Sequence, residues 1–214
     1  MFWNALSMAK SLKKSLIVVM TLTGTLALAG SSYFFGSSIY IHAKAQLGQF
    51  LLQQTWQKTI VSQQYIKPWL GADFSPFAEL GVSTSENKII VLNNTSNQSL
   101  SWGPSFHQQT SYPGTKGRTI IAVHRDTHGR FLRNLKEGDL VTLTIKEGKQ
   151  LLYSVDTIAV IDSLKSKLRT NSIKHELILY SCYPLDAVRP GGSMRYVVRA
   201  ILIKEKLGKL YAQN

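Results

Sequence analysis

The sequence predicts a mainly β domain, a closed or nearly closed antiparallel β-barrel with short helices, preceded by an N-terminal apolar helix. Three observations point there. From Lys88 onward the chain breaks into short apolar or alternating runs separated by Gly, Pro, Asn and Asp. Upstream lies a single amphipathic stretch, residues 42–67, and before it an uncharged stretch from Ser15 to Ile41. The 214 residues are enough for one well-packed domain with an appendage.

The uncharged stretch begins SLIVVMTLTGTLALA (15–29) and continues through Tyr33, Phe34, Phe35, Ile39, Tyr40 and Ile41. It exceeds the roughly 20 residues that cross a bilayer core. Lys10, Lys13 and Lys14 precede it and no basic residue follows until Lys44. The positive-inside rule then leaves residues 1–14 in the cytoplasm as a basic N-terminus and sends the rest out. Ala27-Leu28-Ala29 before Gly30 also fits a signal-peptidase site. The apolar run extends well past that site, so residues 15–41 are expected to be an uncleaved signal-anchor.

Residues 42–67 are expected to form a helical stalk, with Leu47, Phe50, Leu51, Trp56 and Ile60 approximating one face and Pro68 as the stop. A loop, PWLGADFSPFAELGV (68–82), follows, with a short helical turn expected at 76–80. The expected strands are Lys88–Leu92, Arg118–His124, Asp139–Lys146, Gln150–Ile161, Leu177–Cys182 and Arg195–Ile203. Glu147-Gly148 makes the turn of a hairpin between the third and fourth of these. Residues 68–214 thus form the expected β-barrel domain.

Lys and Arg total 25 against 12 Asp and Glu, a net charge of +13. Residues 88–214 hold nineteen of the basic and nine of the acidic residues. The basic residues are dispersed and no nucleic-acid motif accompanies them, so nucleic acid is not an expected partner. A single cysteine excludes an internal disulfide and any multi-cysteine metal site.

That cysteine, Cys182, ends an apolar run at a strand-to-loop junction, where substrate and solvent have access. His124 ends another, Ile120–Val123, and Arg195 opens a third. Thiol, imidazole and guanidinium together make a kit for acyl transfer: a nucleophile, a proton donor for the leaving amine, and a planar cation for a developing oxyanion. His124 and His128 are four apart, but Gly129 and the preceding β-like run argue against a helix that would pair them on a metal.

Several blocks resemble sortases. ILYSCYP (178–184) resembles the TLxTC signature, MRYVV (194–198) the arginine strand, and RTIIAVHRDTHGRFLRNLKEGDLV (118–141) the histidine block. KPWLGADFSPFAEL, LSWGPS and CYPLDAVRPGGSMRYVV bring the pattern closest to the Gram-negative (proteobacterial) sortase class. The resemblance covers about residues 67–203. It implies an eight-stranded sortase-type β-barrel and a cysteine transpeptidase. Cys182 would be the nucleophile, His124 the general acid/base, and Arg195 the oxyanion or substrate-positioning residue. Ser181, Arg189 and Asp126 are candidate substrate contacts.

The resemblance further implies a secreted substrate protein with a C-terminal LPxTG-like sorting signal, cut between Thr and Gly, and an amine acceptor. No cofactor or metal is implied. The expected location is the inner (cytoplasmic) membrane, single-pass, with a periplasmic catalytic domain. Two other readings stand beside it: a cysteine peptidase that releases its substrate to water, and a non-enzymatic envelope scaffold or adaptor. Against the family pattern, Val123 and Ser105 replace glycines, Ser181 replaces threonine, Ile178 stands where the first threonine is usual, and Gly129 alters the loop after His128.

Overall fold

A computed structural model describes residues 2–166, 168–187 and 191–207. A long helix, α1 (Phe2–Ser62), comes first. Within it, Leu16–Ser62 is long and apolar enough to cross a membrane by length and composition, with an 18-residue window of mean hydropathy 1.5. The hydroxyls in the apolar stretch are satisfied internally. Thr21 donates to the Ile17 carbonyl at 3.0 Å, Thr23 to Val19 at 2.9 Å and Thr25 to Thr21 at 3.0 Å. Such back-bonding removes most of the cost of a hydroxyl in an apolar medium.

The chain divides into two compact units, residues 1–48 and 49–214. The second contains the last turns of α1 and all the strands. Leu52, Trp56 and Ile60, one turn apart, are buried with Ala72, Phe74, Ile90 and Leu92. Leu47 and Phe50, expected on that face, are exposed. The buried stripe is rotated because Thr55 and Thr59 share it, and threonine does not register as apolar in a periodicity count. The helix also ends at Ser62, earlier than expected. Gln63 turns the backbone to φ +57, and its amide donates to the Ile60 and Lys146 carbonyls at 2.6 and 2.8 Å.

Eight strands follow: β1 (Pro76–Val82), β2 (Ser85–Leu92), β3 (Ser105–Phe106), β4 (Gly117–Ala122), β5 (Leu140–Ile145), β6 (Lys149–Asp162), β7 (His175–Cys182) and β8 (Met194–Leu207). They close in the order β1-β2-β3-β4-β7-β8-β6-β5. A six-residue helix, α2 (Asn97–Trp102), precedes β3, and a 3-10 segment (Gly129–Asn134) follows β4. The turn expected at 76–80 is instead β1. Its run Phe77-Ala78-Glu79-Leu80 pairs with β2 on one side and β5 on the other, so neighbours rather than local propensity decide its conformation.

The barrel is closed as expected but not antiparallel throughout. β2 pairs with β3 and β4 with β7 in parallel. The β4–β7 case has a plain cause: β6 runs in the same direction as β4 and ends at the same rim, and the connection from residue 163 to 174 carries the chain back to the opposite end before β7 begins. Gly148, at φ +74, makes the hairpin turn. Inside, Phe77 stacks on Phe106 at 4.3 Å between centroids, and Tyr112 meets Phe77 edge-on at 5.6 Å. Leu143, Leu177, Leu179 and Val198 complete a continuous core.

Candidate active site

The parallel pairing of β4 and β7 positions the site. Gly117 lies opposite His175, and the register holds without a bulge to Ala122 opposite Tyr180. The Val123 amide then bonds the Tyr180 carbonyl at 2.8 Å, carrying the alignment beyond the strand. The same offset sets His124 level with Cys182. On the other side of β7, Cys182 is the register partner of Arg195 on β8. Three adjacent strands therefore present His124, Cys182 and Arg195 at one rim. They border one cleft of about 330 Å³, together with Arg125, Asp126 and Tyr180.

Strand alternation decides which side chains reach that cleft. Along β7, Leu177 and Leu179 enter the barrel core, whereas Ile178 belongs to an outer apolar cluster with Ile120 and Val197. Cys182 has the outer parity and is exposed. The apolar wall built by Ile120, Ile178 and Val197, with Ile161, Leu168 and Tyr180 against it, thus leads up to the thiol.

His124 sits where β4 breaks into a tight turn. The amides of His128 and Gly129 both bond its carbonyl, at 3.1 and 2.9 Å. Its ring Nδ1 accepts from the Asp126 amide at 3.2 Å. In the neutral ring this leaves the proton on Nε2, the nitrogen free to face a substrate. Gly129 sits in a crowded position. A Cβ there would lie 3.2 Å from the His124 carbonyl oxygen and 3.3 Å from Ser181 Oγ. Val123, where the family pattern has glycine, faces the core and is 3% exposed.

The turn is supported from below. Gln49 donates to the Trp102 carbonyl at 3.0 Å, and His128 meets the Trp102 and Ser101 carbonyls. Burial, reinforced by the charge of His124, lowers the His128 pKa. Ser105, the other glycine replacement, is fully buried and bonds Ser99 Oγ at 2.7 Å, tying β3 to α2.

The guanidinium of Arg195 donates from Nη1 to the Gly192 and Met194 carbonyls, at 2.8 and 2.9 Å. Tyr180, two residues before Cys182, bonds His107 Nε2 at 2.6 Å. Burial raises the Tyr180 pKa and lowers that of His107.

Of the sequence-derived substrate contacts, Ser181 and Asp126 both border the cleft. Ser181 is 1% exposed with the inward parity of β7; its Oγ lies beside Gly129 and has no hydrogen-bond partner among the described residues. The Asp126 carboxylate is paired with Arg125, at 2.6 and 3.2 Å, and that bond holds it below the usual carboxylate range. Arg189 lies outside the described residues. Among the described residues, no group of three or more His, Cys, Asp or Glu is placed to hold a metal ion.

Sequence reasoning missed Arg125, which is 5% exposed, and the His107–Tyr180 pair. Arg125 stands beside His124 in the chain, but nothing in a sequence marks an arginine as buried.

A sortase-domain family profile matches residues 80–203. Sortase D of Bacillus subtilis (strain 168) is 28% identical over 109 residues, 50% of this chain and 54% of that protein. The chain therefore spans about half the length of this curated relative. Among solved structures, a Clostridium perfringens sortase D5 transpeptidase aligns with TM-score 0.57 at 16% identity, covering 74% of this chain and 98% of that one. Listeria monocytogenes sortase A aligns with TM-score 0.54 at 21% identity, covering 61% and 89%. These two establish a shared fold. With the profile spanning more than half of the residues, the chain belongs to the sortase family, a family of cysteine transpeptidases.

Proposed function

We propose that this protein is a membrane-anchored sortase of the Gram-negative class that cleaves an LPxTG-like sorting signal and transfers the acyl group to an amine. The observation that carries the reading is the placement of His124, Cys182 and Arg195 at the ends of three adjacent strands around one cleft.

In this reaction the Cys182 thiolate attacks the carbonyl carbon of the Thr–Gly bond. The carbonyl electrons move onto oxygen, where the Arg195 guanidinium meets the charge after leaving its backbone carbonyls. As the tetrahedral species collapses, the C–N bond breaks and His124 Nε2 protonates the departing glycine amine. A thioester on Sγ remains. An incoming amine attacks it, gives its proton to His124 and restores the thiolate. The apolar wall of Ile120, Ile178 and Val197 suits the apolar side chains of the signal. Residues 15–41 serve as the anchor, with the catalytic domain on the periplasmic side; the excess of lysine before the anchor supports that orientation.

The test is mass spectrometry of the full-length protein with a Leu-Pro-x-Thr-Gly peptide, with and without an added amine. A peptide adduct on Cys182, absent in Cys182→Ala and released as an amide by the amine, is the expected result. An adduct persisting in Cys182→Ala refutes the nucleophile. Free acid as the sole product, whatever amine is supplied, makes the protein a hydrolase.

A further inference from the structure

The cleft holds a second arginine that the reaction above leaves unused. Arg125 follows His124 directly, yet it is 5% exposed, the most buried cationic side chain that borders the cleft. A buried guanidinium needs partners on every donor it can offer. Two are provided by Asp126, in a two-pronged contact at 2.6 and 3.2 Å. A third donor points across the cleft floor to the Pro184 carbonyl at 3.4 Å. Pro184 lies two residues beyond Cys182, and a parallel bond from Arg133 to the Leu185 carbonyl at 2.9 Å fixes the same loop. Arg125 thus joins the turn that carries His124 to the loop that leaves Cys182.

The charges around it are unequal in kind. On its own turn stands Asp126, exposed to solvent on 53% of its side chain. Cys182, at the end of β7, borders the same cleft, and Asp186 follows on the loop beyond it. His124 also borders the cleft, and Arg195 approaches Cys182 from β8. A carboxylate open to water screens its partner only in part. The buried guanidinium therefore keeps part of its positive field within the cleft that it shares with Cys182.

We propose that Arg125 is a positioning residue of this active site: a buried cation that braces the Cys182 loop against the His124 turn and stabilises negative charge on Sγ. The two arginines then divide the work. Arg195, at the mouth, is placed for the substrate oxygen; Arg125, beneath, acts on the enzyme's own sulfur before substrate arrives. Thiolate formation then rests on a fixed charge as well as on proton transfer to His124. The significance of this assignment rests on Cys182 being the nucleophile, but the assignment itself is tested without any sorting peptide.

Cys182 is the only cysteine in the chain, so alkylation by iodoacetamide reports on it alone. The full-length protein in detergent micelles is compared with Arg125→Gln, Arg125→Lys and Asp126→Asn, following alkylation rate against pH from 5 to 10. Arg125→Gln should move the pH–rate profile to higher pH and slow alkylation at pH 7 by about threefold to tenfold. Arg125→Lys, which keeps the charge, should restore most of the rate. Asp126→Asn, which frees the guanidinium of its counter-charge, should move the profile the other way.

A brace without electrostatic action would lower thermal stability and leave the profile in place. A folded Arg125→Gln protein whose profile overlays that of the parent overturns the proposal. If Arg125→Gln does not fold, Asp126→Asn decides: its carboxylate is exposed, and an unmoved profile there overturns the proposal equally. Failure of the underlying reading looks different, since the unaltered protein would then alkylate normally yet never form a peptide adduct.

Discussion

Cys182 and Arg195 are register partners across β7 and β8, on the same outward face and at the same rim. Cross-strand partners have Cβ atoms about 4.5–5.5 Å apart, so the geometry of the pair is set by the ladder and not by a flexible loop. In the resting state Arg195 holds the Gly192 and Met194 carbonyls. Replacing it with lysine keeps one charge and loses the fork. Turnover of a quenched fluorescent sorting peptide by Arg195→Lys should fall by roughly 10²–10³-fold, with less effect on KM, as for loss of an oxyanion donor. Activity within threefold of the parent would remove Arg195 from the chemistry.

Gly129 leaves little room for a side chain between the His124 carbonyl and Ser181. A methyl group at 129 meets the His124 carbonyl and Ser181 Oγ at 3.2 and 3.3 Å. Gly129→Ala should therefore destabilise the fold by about 1–3 kcal/mol, the usual range for overpacking, and lower kcat by displacing the histidine turn. Ser181→Ala in the same chain removes one of the two obstacles and should recover part of the loss. Chemical denaturation of the two single variants and the double variant gives the coupling; strict additivity would mean that the two sites do not touch.

Acid should loosen the fold before the carboxylates titrate. His107 and His128 both have pKa values lowered, chiefly by burial. An unfolded histidine titrates near about 6.5, so below that pH the unfolded state binds more protons than the folded one. The stabilisation is complete above about pH 6.5 and is lost as pH falls through the lowered folded values. Thermal unfolding midpoints should drop between pH 7 and 5, and the drop should be smaller in His107→Gln. A flat midpoint across that window would contradict the burial of both rings.

Trp56 is 1% exposed, between Leu52 and Ile60 on the last turns of α1. Trp56→Ala should cost about 3–5 kcal/mol. For the same reason a fragment beginning at residue 68 should melt well below one beginning at residue 49. Equal melting temperatures would show that the packing of these turns contributes nothing to the barrel.

Much of the fold is legible in the sequence. The six strands from Lys88 to Ile203 announce themselves through alternation and turn residues, which are local properties of the chain. β1 and β3 do not. Pro76–Val82 contains Gly81 and Glu79, and Ser105–Phe106 has only two residues; each becomes a strand because its neighbours supply hydrogen bonds. The stalk face is only partly legible for a similar reason, since Thr55 and Thr59 are buried by what they pack against.

Sequence alone determined the reactive groups, their order and their positions at strand ends: a single thiol after β7, an imidazole after β4, a guanidinium opening β8. Only the tertiary structure decided that they meet. A parallel β4–β7 pairing is invisible locally, because strand direction depends on where the intervening chain returns. It is this pairing that aligns His124 with Cys182. Burial was decided at the same level. Ser181 turns inward and Arg125 sinks into the cleft floor because strand parity and loop closure leave them no other volume, and no residue letter encodes that.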